Sequence, residues 1–187
     1  MRLKLPSTHL WVVSYLAWHV GQRTYEDTVT FTDKLAHATS GSFQVTTDGF
    51  AAYRDAVVMS LGVQRVSFAQ LIKIYRSLVM DEARYSPAEC TGAKKEAIMG
   101  NPDMRKVSTS YIERHNLSVR MENRRFTRLT NAFSKRWANH RAALARYFAY
   151  YNFSRMHKTL RCTPAMAAGV VDHVWTLKDL LSAATGI

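Results

Sequence analysis

Cysteine is nearly absent from this chain of 187 residues: Cys90 and Cys162 are the only two, and neither lies in a CxxC or at ligand spacing from a histidine. That argues against a disulfide framework and a zinc site, and it fits a reducing cytoplasm. Long apolar runs are missing as well. None approaches the roughly 20 residues a membrane-spanning helix needs. Residues 1–6 lead into polar Ser7-Thr8-His9, unlike the apolar stretch of a signal peptide. No repeat or low-complexity tract is present. Acids are scarce, 14 Asp and Glu against 26 Lys and Arg, giving a net charge of +12. With 47% hydrophobic residues the chain still suffices for a good-sized domain with its own core.

The positive charge is not spread evenly. Residues 105–161 hold 14 Lys and Arg against Glu113 and Glu122, so the whole excess falls there and the remainder is neutral. A charge run alone reads as a solvated surface. One confined to a single segment and interleaved with Phe126, Phe133, Trp137, Tyr147, Phe148, Tyr150 and Tyr151 points to a nucleic-acid partner.

Residues 10–20, rich in β-branched and aromatic side chains, read as one buried strand or two short ones. Thr24-Tyr25-Glu26-Asp27 opens a capped helix with Val29, Phe31, Leu35 and Ala38 inward and Gly41 as its stop. Residues 43–47 form the next strand, Asp48-Gly49 its turn into a helix over 50–61 closed by Gly62, and 66–75 a third extended segment. This alternation implies an α/β layer. Residues 76–108 are irregular, with turns at Ser86-Pro87, Gly92, Gly100 and Asn101-Pro102. Helices follow over about 108–121, with Ser108, Thr109 or Ser110 as cap, and over about 131–151, where Phe133, Trp137, Leu144, Phe148 and Tyr151 recur at helical spacing and read as core rather than as stacking platforms. Short helices are expected over 163–169, with Pro164 in the first turn, and over 176–183.

Two acids stand out. Asp48 ends a strand at a tight turn, and Glu113 sits in a basic helix that carries Asn116 and Arg120 along the same face. Alone, the first is an ordinary turn residue and the second an ion-pair partner for Arg114 or Arg120. Together they are how a fold gathers carboxylates around a divalent metal.

Several blocks carry a family likeness. Val45-Thr46-Thr47-Asp48-Gly49-Phe50-Ala51-Ala52-Tyr53, Gly100-Asn101-Pro102-Asp103, Ser108-Thr109-Ser110-Tyr111-Ile112-Glu113-Arg114-His115-Asn116-Leu117 and the run 124–135 occur in order. The closing Tyr150-Tyr151-Asn152-Phe153, Arg155, His157-Lys158-Thr159-Leu160-Arg161 and Thr163-Pro164 follow them. Over roughly residues 16–175 the chain resembles bacterial insertion-sequence transposases of the insertion-sequence-one type. The resemblance implies an α/β, ribonuclease-H-like core of the integrase and transposase kind, amino-terminally incomplete, over residues 10–161. Its carboxy-terminal half, from about 105, is basic and helical, and a helical tail covers 162–187. It also implies three acids holding Mg²⁺ (or Mn²⁺), of which Asp48 matches the second and Glu113 the third, as catalytic residues and metal ligands.

The family's first acid belongs to the strand before the segment matching residues 16–21, whereas the first acidic residue in this chain is Glu26. The expectation is therefore a transposase lacking its front, through truncation, frameshift or a misplaced start, that binds metal weakly and is inactive. The alternative is a non-catalytic DNA-binding remnant that inhibits a full-length transposase by mixed assembly. DNA, as element ends and target, is the expected partner, with no membrane, in a homo-oligomer or mixed oligomer at the bacterial nucleoid. Expected DNA contacts are Arg114, Asn116, Arg120, Arg124, Arg125, Arg128, Lys135, Arg136, Arg155, His157, Lys158 and Arg161. For Asn116, a metal-bound water or a plain hydrogen bond is the other reading. For Arg155, His157 and Lys158 it is helix termination.

Overall fold

The computed structural model describes residues 3–4, 14–76, 90–126 and 131–185. In chain order the elements are β1 (Leu3–Lys4), α1 (Tyr25–Ala38), β2 (Thr39–Ser40), β3 (Phe43–Asp48), α2 (Ala52–Leu61), β4 (Val66–Tyr75), β5 (Cys90–Met99), α3 (Ser110–Glu122), α4 (Trp137–Phe153), α5 (Pro164–Ala167) and α6 (Leu177–Thr185). The protein is thus mixed α/β, with a small three-stranded sheet in the order β3-β4-β5 and a two-stranded parallel pair of β1 with β2. The described helices include none long and apolar enough to cross a membrane. The chain divides into two compact units, one of Gln22–Asp33 and Ser42–Leu117, the other of Met1–Gly21, Lys34–Gly41 and Ser118–Ile187.

In the first unit, β3 and β4 run parallel through the α2 crossover, in register Phe43 opposite Val66 to Asp48 opposite Leu71. Paired residues share a face of the sheet, and faces alternate along each strand. Val45, Thr47, Phe68 and Gln70 therefore look one way. Arg54 of α2 reaches Gln70 and Glu96 on that side, at 3.0 Å each, so α2 covers it with Ala56, Val57 and Leu61 buried. Gln44, Asp48, Ala69, Leu71 and Lys73 look the other way. Here the chain after β5 returns: the Gln44 amide donates to the Asp103 carbonyl (3.2 Å) and accepts from the Asp103 N–H (2.8 Å), and Lys95 donates to the Met104 carbonyl (2.9 Å). Gly100 permits this return, since at φ 68° a Cβ there would lie 3.0 Å from the Ser67 hydroxyl and 3.2 Å from its Cα.

Helix α1 begins as its sequence reads. Thr24 and Asp27 cap reciprocally at 3.3 Å, and the Gln22 N–H donates to Asp27 at 2.7 Å. Its inward line differs from expectation. Thr28 and Thr32 are buried, while Val29, Phe31, Leu35 and Ala38 are only half-buried. The threonines tolerate burial because their hydroxyls bond back to the Thr24 and Thr28 carbonyls, and that of Thr32 also meets the Ser60 hydroxyl at 2.9 Å. Gly62, at φ 77°, ends α2 with its N–H on the Val58 carbonyl.

β5 corrects the irregular reading of residues 76–108. Cys90–Met99 pairs antiparallel with β4 although its Gly, Ala, Lys and Glu are poor strand formers, because it lies at the sheet edge among the described residues, with Lys94 and Lys95 in solvent. Tertiary pairing decides its conformation, not local preference.

The second unit is built on aromatic rings. Tyr15 packs against Phe148 (4.5 Å between centroids) and Tyr151 (4.7 Å), and Trp18 against Phe148 (5.5 Å). No strand forms over residues 14–20, and residues 10–13 of the expected strand lie outside the described residues. In place of a ladder, the Asn152 amide accepts from the Tyr15 N–H (3.0 Å) and donates to its carbonyl (2.9 Å), so the aromatic content serves packing against α4. Helix α4 starts later than expected, at Trp137, after turns over 131–136 that include a hydrogen bond from Arg125 to the Ser134 hydroxyl. Thr163 caps α5 ahead of Pro164, and Thr176 with Asp179 caps α6.

Gln70 is fully buried in the first unit and supplies both halves of its amide: Nε2 donates to the Thr47 hydroxyl and to the Asp48 and Phe50 carbonyls, and Oε1 accepts from Arg54. Replacement by Leu strips these part-buried acceptors of their donor and leaves the Arg54 guanidinium without its buried acceptor, and should cost about 1–3 kcal/mol, read as a lower denaturant midpoint. A loss under about 0.5 kcal/mol, the scale of an ordinary surface change, would refute the role given to this amide.

Candidate nucleic-acid and acid site

Asp48 closes β3, and its position is set by the turn that follows. Its Oδ1 accepts the Phe50 N–H at 3.2 Å, an Asx turn. Its Oδ2 receives the Arg23 guanidinium at 3.1 Å, and the same guanidinium lies 4.4 Å from the Phe50 ring centroid. The carboxylate is about half exposed. Tyr53 has its phenol held above the usual range, first by burial and then by the Asp48 charge.

Glu113 lies in the first turn of α3, where a carboxylate favours the helix dipole. Thr109 donates to Glu113 Oε1 at 2.8 Å, and the Lys73 ammonium meets the same oxygen at 2.5 Å. These contacts, Lys73 first and then Thr109, hold the Glu113 carboxyl below its usual range, and Glu113 raises Lys73 in turn. Lys73 is two residues beyond Leu71, the partner of Asp48, and so shares the face of Asp48. Strand spacing puts the Asp48 and Lys73 Cα atoms about 8 Å apart. One face of the sheet therefore directs Asp48 and the cation that holds Glu113 to the same side.

Sequence reading missed Arg23, Lys73 and Gln70. The signal for two of them was present: Gln70 and Lys73 interrupt the otherwise apolar run 68–74 in β4. An open cleft of about 350 Å³ in this unit, lined by Ser42, Gln44, Ser67 and Asp103 among others, lies at the opposite ends of β3 and β4 and contains none of the candidates.

Among the described residues there is no group of three or more His, Cys, Asp or Glu placed to hold a metal. The two candidate acids each face a side-chain cation.

The expected DNA contacts divide between the units. Arg114 and Asn116 are exposed on α3 in the first unit. Arg120, Arg124, Arg125, Lys135, Arg136, Lys158 and Arg161 are exposed in the second, and Arg128 lies outside the described residues. From residue 123 to 171 the chain has no acid at all. Arg155 and His157 serve internally. Arg155 binds Glu122 at 2.5 Å and lies over the Tyr151 ring, with Tyr147 donating to the other Glu122 oxygen at 2.8 Å. Burial opposes ionisation of Glu122, but the Arg155 and Tyr147 bonds outweigh it and hold the carboxyl below its usual range. The His157 ring packs on Tyr151 at 4.7 Å, and burial, then the Arg155 charge, lower its affinity for a proton. The aromatic stripe of α4 also divides: Leu144 and Tyr151 are buried and Phe148 partly so, whereas Phe133 and Trp137 are 59% and 57% exposed and stand outside the core.

The sign of the pH response follows from the lowered Glu113. Its ion pair is fully present above the ordinary glutamate range, about pH 4.3, and is lost as pH falls through the lower folded value. Lys73→Met should move the Glu113 carboxyl titration upward in NMR, and Thr109→Val should move it by less. An unchanged Glu113 titration in Lys73→Met would contradict the assigned pairing.

Against known proteins, the chain matches no family model, no curated protein and no solved structure.

Proposed function

We propose that the protein binds DNA through its phosphate backbone and derives from a metal-dependent strand transferase of the insertion-sequence transposase kind. The observation that carries the reading is the acid-free run of residues 123–171, with Arg124, Arg125, Lys135, Arg136 and Arg141 exposed on it. Lys and Arg on such a run bind phosphate by releasing counterions, with little regard for base sequence. Support for the descent is the β3–α2–β4 crossover with Asp48 at a strand tip and Glu113 on a helix over the same sheet face, the placement of two acids in a ribonuclease-H-like core. Such a partner puts the protein with the bacterial nucleoid, in the cytoplasm.

Catalysis is a different demand. In-line displacement at phosphorus needs both the attacking and the leaving oxygen stabilised. The two candidate acids among the described residues, Asp48 and Glu113, are each already paired with a cation. The reading is therefore of DNA binding without strand cleavage by this chain, with Mg²⁺ or Mn²⁺ held weakly if at all.

Fluorescence anisotropy on duplex DNA tests the binding. Affinity should fall at least tenfold between about 50 and 200 mM salt. Changing Arg124 and Arg125 to Ala should weaken unrelated duplexes equally and reduce the salt slope by about 2. Salt-insensitive binding, or none at low salt, would remove the proposal. Incubation of labelled DNA with the protein and Mg²⁺ or Mn²⁺ should leave the strands intact. Metal-dependent cleavage that disappears in Glu113→Gln would instead establish an active nuclease or transferase.

A further inference from the structure

Where α4 begins, rings that belong in a core stand in solvent. Trp137 is 57% exposed, Phe133 59% and Phe126 39%. They are not scattered. The His140 ring stacks on the Trp137 indole at 5.7 Å with planes 27° apart, and meets Phe126 edge to face at 5.1 Å. One turn farther along α4, Leu144 is buried and anchors this end of the helix. An exposed indole forgoes the largest burial gain a side chain offers, so a preassembled, exposed ring cluster marks a contact surface.

Charge identifies the occupant. Arg124 and Arg125 adjoin Phe126 in the chain, Lys135 and Arg136 precede Trp137, and Arg141 follows His140, with no acid from residue 123 to 171. An exposed indole backed by a stacked imidazole and bordered by cations suits a flat ring on a polyanion. Bases stacked within a duplex present only their edges, whereas an unpaired base presents its face. We propose that the exposed Trp137 indole, backed by the stacked His140 ring with Phe126 set edge to face against that histidine, is a stacking platform for an unpaired nucleobase of single-stranded nucleic acid, with Arg124, Arg136 and Arg141 on the adjoining phosphates. This rests on the DNA-binding reading above and adds that part of the ligand is unstacked.

The test uses the full chain with an oligo-dT strand and with a duplex of equal length, reading tryptophan fluorescence and anisotropy. Oligo-dT should quench fluorescence. Trp137→Ala should weaken single-strand binding about five- to a hundredfold while leaving duplex affinity nearly unchanged. Trp137→Phe should keep most of the affinity and lose the quench. Arg136→Ala and Arg141→Ala should weaken both ligands. Because Trp137 is exposed, its variants should unfold at the wild-type midpoint, which separates a binding loss from a folding loss. Equal effects of Trp137→Ala on both ligands, or none, would overturn the platform and leave phosphate binding standing. Failure of wild-type protein to bind either ligand would overturn both readings. Concentration-dependent self-association abolished by Trp137→Ala, without any effect on oligo-dT, would assign the rings to a protein contact and overturn the inference.

Discussion

The side-chain amide of Gln70 is the interaction on which the acid-bearing end of the sheet depends. It is buried with no solvent of its own, and it holds three acceptors on the strand end and turn that carry Asp48 while accepting from Arg54 on the crossover helix. A buried amide is tolerable only when its hydrogen-bonding capacity is used, and here the partners lie on three successive elements. The direction in which the Asp48 carboxylate leaves the sheet is thus fixed from beneath, by a neutral group that takes no part in charge.

Above the sheet the balance is electrostatic. Arg23 answers Asp48 and Lys73 answers Glu113, the first pair mostly in solvent and the second about half so. Exposed pairs of this kind contribute about 0–1 kcal/mol to stability, so they are not what holds the unit together. Their effect is local neutrality. A bare pair of carboxylates repels phosphate, whereas each of these presents a compensated surface.

How much of this was legible in sequence varies with the physical origin of each part. The α2 stop at Gly62, the β4 limits and the capped start of α1 were readable because caps, turns and apolar runs are local signals. The buried threonines of α1 were not, because intrahelical hydroxyl bonding disguises a polar residue as a core residue. Neither was β5, whose composition denies a strand that pairing with β4 imposes. For the candidate site, Asp48 and Glu113 were found from spacing and likeness. Arg23 and Lys73 were missed because ion pairs across 25 and 40 residues leave no periodic trace. The α4 stripe showed the opposite failure: helical spacing predicts a common face, but whether that face is covered depends on what packs there, and the cover ends before Trp137.

The composition that concealed β5 has a consequence for the protein in concentrated solution. An edge strand offers its outer N–H and C=O groups to any other strand, including that of a second copy, and flat apolar edges grow into aggregates. On β5 a foreign strand would have to lie beside Lys94 and Lys95 of its host. Two copies meeting edge to edge would bring those ammonium groups together, so the same lysines that make this strand hard to read also keep it from recruiting its own kind.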